Sequence, residues 1–168
     1  MNAEKIFEQF IAAHSAKDIN AIGSLLSEEL EFTTLLGILG KKDYVDFSQA
    51  ITAAMPDLAF KVEKKSATGN DVLLNFGLSG THKNTFTLHA PGMKPLPPTN
   101  KFIDLAPDLL HYVVAGDKIV KIYPEPGHEG GVVFLLREMG AKLPPLWIPR
   151  LVNRVTRRLS ERKLRSAR

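Results

Sequence analysis

The sequence predicts an α+β fold in which helices come first and a meander of antiparallel strands follows. Two observations carry this reading. Apolar residues recur at helical spacing through the first third of the chain, as in Ile6, Phe7, Phe10 and Ile11. From residue 58 onward the pattern changes to runs rich in Val, Leu, Ile, Phe and Tyr, punctuated by Gly, Pro and Asn, as long strands joined by hairpins require.

Taken in order, residues 3–15 read as an amphipathic helix. Asp18 is placed to cap a second helix that runs through Leu26. Glu29 to Leu35 alternates like a short strand, and Gly37 and Gly40 mark the turn after it. Lys42 to Ala54 is a third helix with Tyr44, Val45, Phe47, Ile51 and Ala54 on one stripe and Pro56 just beyond its end. Leu58 to Ser66 is a strand, with Phe60 and Val62 facing one way and Lys61, Glu63 and Lys65 the other. Thr68-Gly69-Asn70-Asp71 turns into an apolar run over 71–86. A proline-rich crossing over 90–102 follows. The chain returns over 108–126, where Ala115-Gly116-Asp117-Lys118 supplies a hairpin turn and Gly116 the positive φ that such a turn needs. Residues 132–141, VVFLLREMGA, form a short helix with Gly140 at its C-cap.

Several of these residues fall in a familiar order. Gly80-Thr81-His82, Phe86, Pro97-Pro98-Thr99 and Val114-Ala115-Gly116-Asp117-Lys118-Ile119-Val120 follow one another. Pro56-Asp57-Leu58 precedes them and Arg137-Glu138-Met139-Gly140 follows them. This order resembles the SnoaL-like polyketide-cyclase family of the NTF2-like, ketosteroid-isomerase-like superfamily, over roughly residues 4–142. The resemblance implies a cone: helices packed on one face of a curved antiparallel sheet, with a ligand cavity at its mouth. It also implies a homodimer, no cofactor, and acid/base chemistry on a hydrophobic carbonyl compound.

Composition bounds the rest. The 168 residues are one domain's worth. There is no cysteine, which excludes disulfides and thiolate metal sites and fits a reducing compartment. The first residues, MNAEKIFEQF, carry charge and no apolar core of a signal peptide. A cytoplasmic location is expected. Charge divides the chain in two. Residues 142–168 hold nine Lys/Arg against Glu161 alone, a local charge of +8, whereas the other 141 residues hold 13 basic and 17 acidic side chains, a net −4. The expected organisation is therefore a cone domain over 1–142 and a basic amphipathic helical extension over 143–168. In that extension Leu151, Val152, Val155 and Leu159 form the apolar stripe, with Trp147 near its start. Residues 146–168 read as a solvated helix, as a peripheral helix on an anionic membrane, or as packing on a partner. The acidic body and the lack of interleaved aromatics argue against nucleic acid.

Candidate chemistry falls on few residues. His111, in the strand that supplies a cavity-facing histidine in SnoaL-like cyclases, and His82 of the Gly-Thr-His motif are the imidazoles suited to proton transfer near neutral pH. His111 also reads as a buried, hydrogen-bonded and idle histidine, and in the family that it resembles the motif of His82 mostly shapes the turn and the cavity wall. Asp104 and Asp108 are evenly spaced and share a face if their strand is regular, although Pro107 favours a bulge. Asp108 and His111, three apart, fall on opposite faces unless a bulge intervenes. The family's catalytic aspartate follows a strand ending in an aromatic, here Tyr123. This chain instead has PEPGHEGG, where Glu125, His128 and Glu129 are the only acid/base substitutes. The expected catalytic set is thus His111, Asp108, Glu125 and His82, with Asn75, Tyr112, Tyr123 and Asp104 as ligand contacts. No metal-ligand spacing or phosphate loop is present. Two functions remain: a cofactor-independent cyclase or isomerase, or a non-catalytic module that holds an apolar ligand.

Overall fold

A computed structural model describes residues 3–88, 93–128 and 130–143. Beyond Leu143 the basic extension lies outside the described residues. Among the described residues four helices and six strands follow one another as α1 (Ala3–Ser15), α2 (Ile19–Leu25), β1 (Leu26–Thr34), β2 (Gly37–Leu39), α3 (Lys41–Ala54), β3 (Ala59–Thr68), β4 (Asp71–Thr81), β5 (Phe102–Ala115), β6 (Lys118–Pro124) and α4 (Gly131–Glu138). The expected α+β order, with a curved sheet packed on the N-terminal helices, is the observed one.

The strands form one six-stranded sheet in the order β2-β1-β6-β5-β4-β3, antiparallel throughout except for the parallel pair β1–β6. Residues directly opposite in register share a face. Val72, Leu74, Tyr112 and Ile122 turn inward and are buried against Phe7 and Phe10 of α1 and Ile22 of α2. A second apolar cluster joins Ile51 and Met55, at the end of α3, to Leu78, Ile103 and the Leu135–Leu136 pair of α4. Burying each such side chain contributes about 1.5–3 kcal/mol.

Local chemistry explains the boundaries. The Asp18 carboxylate accepts a hydrogen bond from the Ala21 N–H at 2.9 Å and caps α2 as expected. Gly116, at φ 63°, closes the β5–β6 hairpin. Some boundaries differ from the sequence reading: β1 begins at Leu26 and β5 already at Phe102. The turn after β1 lies at Leu35–Leu36, and Gly37 to Leu39 pairs back on β1 as a short edge strand. Thr34 permits this, because its hydroxyl donates to the Gly37 carbonyl and accepts from the Leu36 N–H.

Another difference bears on the site. Phe76 pairs with Asp108, but Leu78 pairs with Leu105, so Ala106 and Pro107 together oppose Gly77. This is a β-bulge at the proline, which has no N–H to give to a ladder. Gly77 makes room for it: a Cβ there would lie 3.1 Å from both the Leu105 carbonyl oxygen and the Pro107 ring. The extra residue reverses facing along β5. Asp104 stays on the outer face, where Lys61 pairs with it at 2.6 Å, whereas Asp108 turns to the inner face. The two aspartates would share a face only in a regular strand, and the bulge that Pro107 favours separates them.

Candidate functional site

Between the inner face of the sheet, α3 and α4 lies a largely apolar cavity of about 110 Å³. Phe60, Phe76 and Leu110 wall it from the sheet, Phe47 and Ile51 from α3, and Leu135 from α4. An engineered apolar cavity of roughly 150 Å³ accommodates benzene, so this somewhat smaller one is on the scale of a single ring. Polar groups enter the lining at two places.

The first is a buried chain. His14, on the last turn of α1, is 2% exposed and directs Nδ1 to the Phe10 carbonyl oxygen at 2.9 Å. Its Nε2 lies 3.1 Å from the Tyr44 hydroxyl. Tyr44 and Tyr112 both line the cavity. Burial lowers the His14 pKa to about 4, only partly offset by the bond to Phe10, so the ring is neutral at physiological pH. Burial raises the pKa of both phenols, and both keep their protons.

The second is a pair at the other end of the wall. Asp108 Oδ1 lies 3.7 Å from His128 Nδ1, and both residues line the cavity. His128 is aimed there by a tight turn. Its N–H donates to the Glu125 carbonyl at 3.0 Å, with Pro126 and Gly127 between them and Gly127 at φ 94°. The start of α4 receives the aspartate closely: a Cβ on Gly131 would fall 2.5 Å from Asp108 Oδ2. Helix N-termini favour a carboxylate.

His111 is elsewhere. It pairs in register with Leu73 and Tyr123 on the outer face, away from the cavity. Its Nδ1 lies 2.9 Å from Asp71 Oδ1 and its Nε2 2.7 Å from Glu125 Oε1. Its ring stacks on Tyr123 at 4.5 Å, and the Tyr123 hydroxyl donates to Asp71 at 3.0 Å. Burial works against the protonated ring, but Glu125 and Asp71 outweigh it, and the His111 pKa is raised. One turn therefore divides the PEPGHEGG loop, Glu125 joining His111 outside and His128 joining Asp108 at the cavity.

The remaining expected residues separate likewise. Tyr112 lines the cavity; Asn75, opposite Glu63, and Asp104, bound to Lys61, are on the outer face. His82 is wholly buried, its Nδ1 3.2 Å from Thr99 Oγ1, and burial lowers its pKa. It belongs to a structural seam. The Asp57 carboxylate accepts from the Thr81 N–H and hydroxyl, each at 2.7 Å. Gly80 lets β4 approach Leu58, where a Cβ would lie 3.1 Å from the Leu58 Cα. The short motifs around Asp57, Thr81 and Thr99 thus hold one another. His14 and Tyr44 were not among the expected site residues. Among the described residues no group of three or more His, Asp or Glu could hold a metal ion, and no helix is long and apolar enough to cross a membrane.

Helices closing a largely apolar cavity over one face of a curved sheet, with a carboxylate and an imidazole in its wall, define a cone-type cavity protein. The chain belongs to the SnoaL-like domain family, whose sequence model matches residues 7–122. No curated protein matches it in sequence. Solved structures resemble it in fold. AclR of Streptomyces galilaeus, a candidate hydroxylase, superposes with a TM-score of 0.60 at 19% identity over 84% of this chain and 97% of its own. A candidate SnoaL-like polyketide cyclase from Jannaschia sp. CCS1 gives 0.61 at 14% identity over 85% and 93%. An NTF2-like protein of unknown function from Cytophaga hutchinsonii gives 0.50 at 19% identity over 75% and 92%.

Proposed function

We propose that the cavity binds a small hydrophobic carbonyl compound and that Asp108, with His128 beside it, moves the proton. The Asp108–His128 pair at 3.7 Å in a largely apolar wall is the observation that carries this. Asp108 takes a proton from the carbon next to the carbonyl, and the C–H electron pair moves into the enolate. His128, when protonated, hydrogen-bonds the developing oxyanion. The enolate then attacks a second electrophilic carbon to close a ring, or is reprotonated at a conjugated carbon to shift a double bond. Asp108 returns the proton. His111 and Glu125, the first sequence candidates for this role, are left outside it because their side chains meet on the opposite face.

A second reading has one observation in its favour. The His14 and Tyr44 protons are already held within the protein, so neither is free to polarise a carbonyl. A non-catalytic ligand carrier would have the same cavity.

Proton abstraction is common to cyclisation and isomerisation, so it can be tested without the natural substrate. Exchange of the α-protons of phenylacetone in D2O, followed by NMR, is expected to accelerate with the parent protein. With Asp108→Asn it should fall by about 100-fold, the scale of general-base catalysis. Binding of phenylacetone without accelerated exchange would leave the carrier reading in its place.

A further inference from the structure

Three of the four large apolar side chains exposed among the described residues gather at one end of the sheet. Leu36 is 44%, Ile38 67% and Phe134 49% exposed, while the fourth, Phe102, lies on the outer face two residues before Asp104. Strand register places the three. β1 and β6 run parallel with Phe32 beside Ile122, so both strands lead to the same end. β6 leads into Pro124 and the turn that carries His128, and β1 into the Leu35–Leu36 turn. Beyond that turn Gly37 stands opposite Thr34 and Ile38 opposite Thr33; both threonines line the cavity, as do Pro124 and His128. Helix α4 starts at the same end, where Gly131 meets Asp108. Phe134 folds back over that start: a Cβ on Gly130 would lie 2.3 Å from its ring. Exposed apolar side chains thus border the Asp108–His128 end of the cavity, and none of them is part of its lining.

A single exposed leucine needs no explanation, but apolar side chains from two separate elements around one opening mark a contact surface. A second copy of the chain seated there would close the opening through which a ligand enters. A bilayer would not, because it is itself apolar beneath its headgroups. The charge of the chain selects which bilayer. The first 141 residues are net −4 and give the rim no attraction of its own to an anionic surface, whereas residues 142–168 carry +8. This basic segment begins at Lys142, four residues after α4 ends at Glu138. The eight residues of α4 span about 12 Å, so the segment leaves the body close to the rim. A few apolar side chains and a basic segment are each marginal for membrane binding and effective together.

We infer that this end of the protein is a membrane-docking rim, in which Leu36, Ile38 and Phe134 enter the interfacial layer of a bilayer containing anionic lipid while residues 142–168 hold the chain to its surface. The cavity then opens toward the acyl region, and an apolar ligand passes into it from lipid without crossing bulk water. Docking does not depend on the chemistry at Asp108; it adds the source from which a hydrophobic compound reaches the cavity.

The test is co-sedimentation of the full chain with vesicles of phosphatidylcholine and phosphatidylserine. Leu36→Ser combined with Ile38→Ser is expected to lower the vesicle partition coefficient about tenfold, and Phe134→Ser to act in the same direction. Phe102→Ser, a change at an equally exposed side chain on the outer face, should match the parent. These variants keep every basic residue, so release by salt should keep the parent's slope. None of the four side chains lines the cavity, so toluene binding, followed by NMR titration, should stay within about twofold and reports that the cavity is formed. Rim variants that bind vesicles like the parent overturn the inference, whether or not the cavity takes toluene. An equal loss in Phe102→Ser overturns it as well. Rim variants that turn an oligomer into a monomer with vesicle binding unchanged overturn it in favour of a second copy. Should a serine variant not fold, the absence of cysteine allows Ile38→Cys and Phe102→Cys to carry a polarity-sensitive nitrobenzoxadiazole label. Its emission should shift to the blue on these vesicles at residue 38 alone. No shift there, or the same shift at both positions, removes the rim.

Discussion

Asp108 and His111 stand three residues apart on β5 and face opposite sides of the sheet. Asp108 lines the cavity, while His111 is held between Asp71 and Glu125 on the outer face. The bulge at Ala106–Pro107 lies before both residues, so it sets the facing of Asp108 relative to Asp104 and leaves ordinary alternation between Asp108 and His111. The chain therefore has two separate polar sites, one facing an apolar cavity and one on the open side of the sheet.

The cavity site depends on a glycine that carries no functional group. Gly131 leaves room for Asp108 Oδ2 at the start of α4, and a Cβ there would come within 2.5 Å of it. Alanine should displace the carboxylate while the helix itself gains up to about 1 kcal/mol from better propensity. Gly131→Ala is therefore expected to melt within a few degrees of the parent and to lose at least about tenfold in α-proton exchange. Thermal denaturation alongside the exchange assay checks this. Unchanged exchange would show that the position of Asp108 is not critical.

His14 makes stability depend on pH in the acid range. Its folded pKa, about 4, is below the ordinary 6.5 because of burial. The neutral ring's contribution is thus present in full above pH 6.5 and is lost as the pH falls toward 4. That gap corresponds to about 3 kcal/mol at most. Chemical denaturation of the parent and of His14→Gln at pH 7.5, 5.5 and 4.5 should show a steeper decline for the parent. Parallel curves would mean that the ring is not buried in its neutral form.

How much of this could be read from the sequence follows from which interactions are local. The Asp18 cap, the Gly116 turn and the opposite facing of Phe60 and Lys61 follow from neighbours in the chain, and they appear where the sequence places them. The facing of Asp104 and Asp108 does not, because one extra residue at Pro107, accommodated across the sheet by Gly77, reverses it. His14 was legible in principle. Phe7, Phe10 and His14 fall at i, i+3 and i+7, which puts an imidazole on the apolar stripe of α1. Its partner Tyr44 reads as one more core residue of α3. Only the tertiary packing brings its hydroxyl to the ring. His128 was visible as an acid/base residue of its loop, but the turn at Pro126–Gly127 that separates it from Glu125 sets its destination.

The charge division of the sequence gives a prediction independent of the cavity. Nine Lys/Arg against one Glu over residues 142–168 should attract an anionic surface, at about 1 kcal/mol per basic residue near it. The full chain is expected to co-sediment with vesicles containing phosphatidylserine at low salt, and to be released as salt shortens the screening length. It should ignore purely zwitterionic vesicles. A chain ending at residue 142 should stay in solution with either. Binding that survives this truncation would place the contact on the acidic body and end the membrane proposal.

His111 separates stability from turnover. Burial lowers its pKa, but the bonds and charges of Glu125 and Asp71 prevail, and the folded value lies above the unfolded 6.5. The stability it contributes is therefore fully present below pH 6.5 and is lost as the pH rises through the raised value, the opposite sign to His14. The three side chains are 18%, 38% and 31% exposed for His111, Glu125 and Asp71, so solvent screening holds the effect to about 1 kcal/mol. His111→Gln should remove that slope between pH 6 and 8. Because the ring lies across the sheet from the cavity, the same substitution should leave toluene binding and α-proton exchange within about threefold of the parent, where a cavity base would lose 100-fold or more. Denaturation curves and the exchange assay on one preparation measure both. Exchange abolished with the pH slope intact would return His111 to the chemistry and make the outer face the active one.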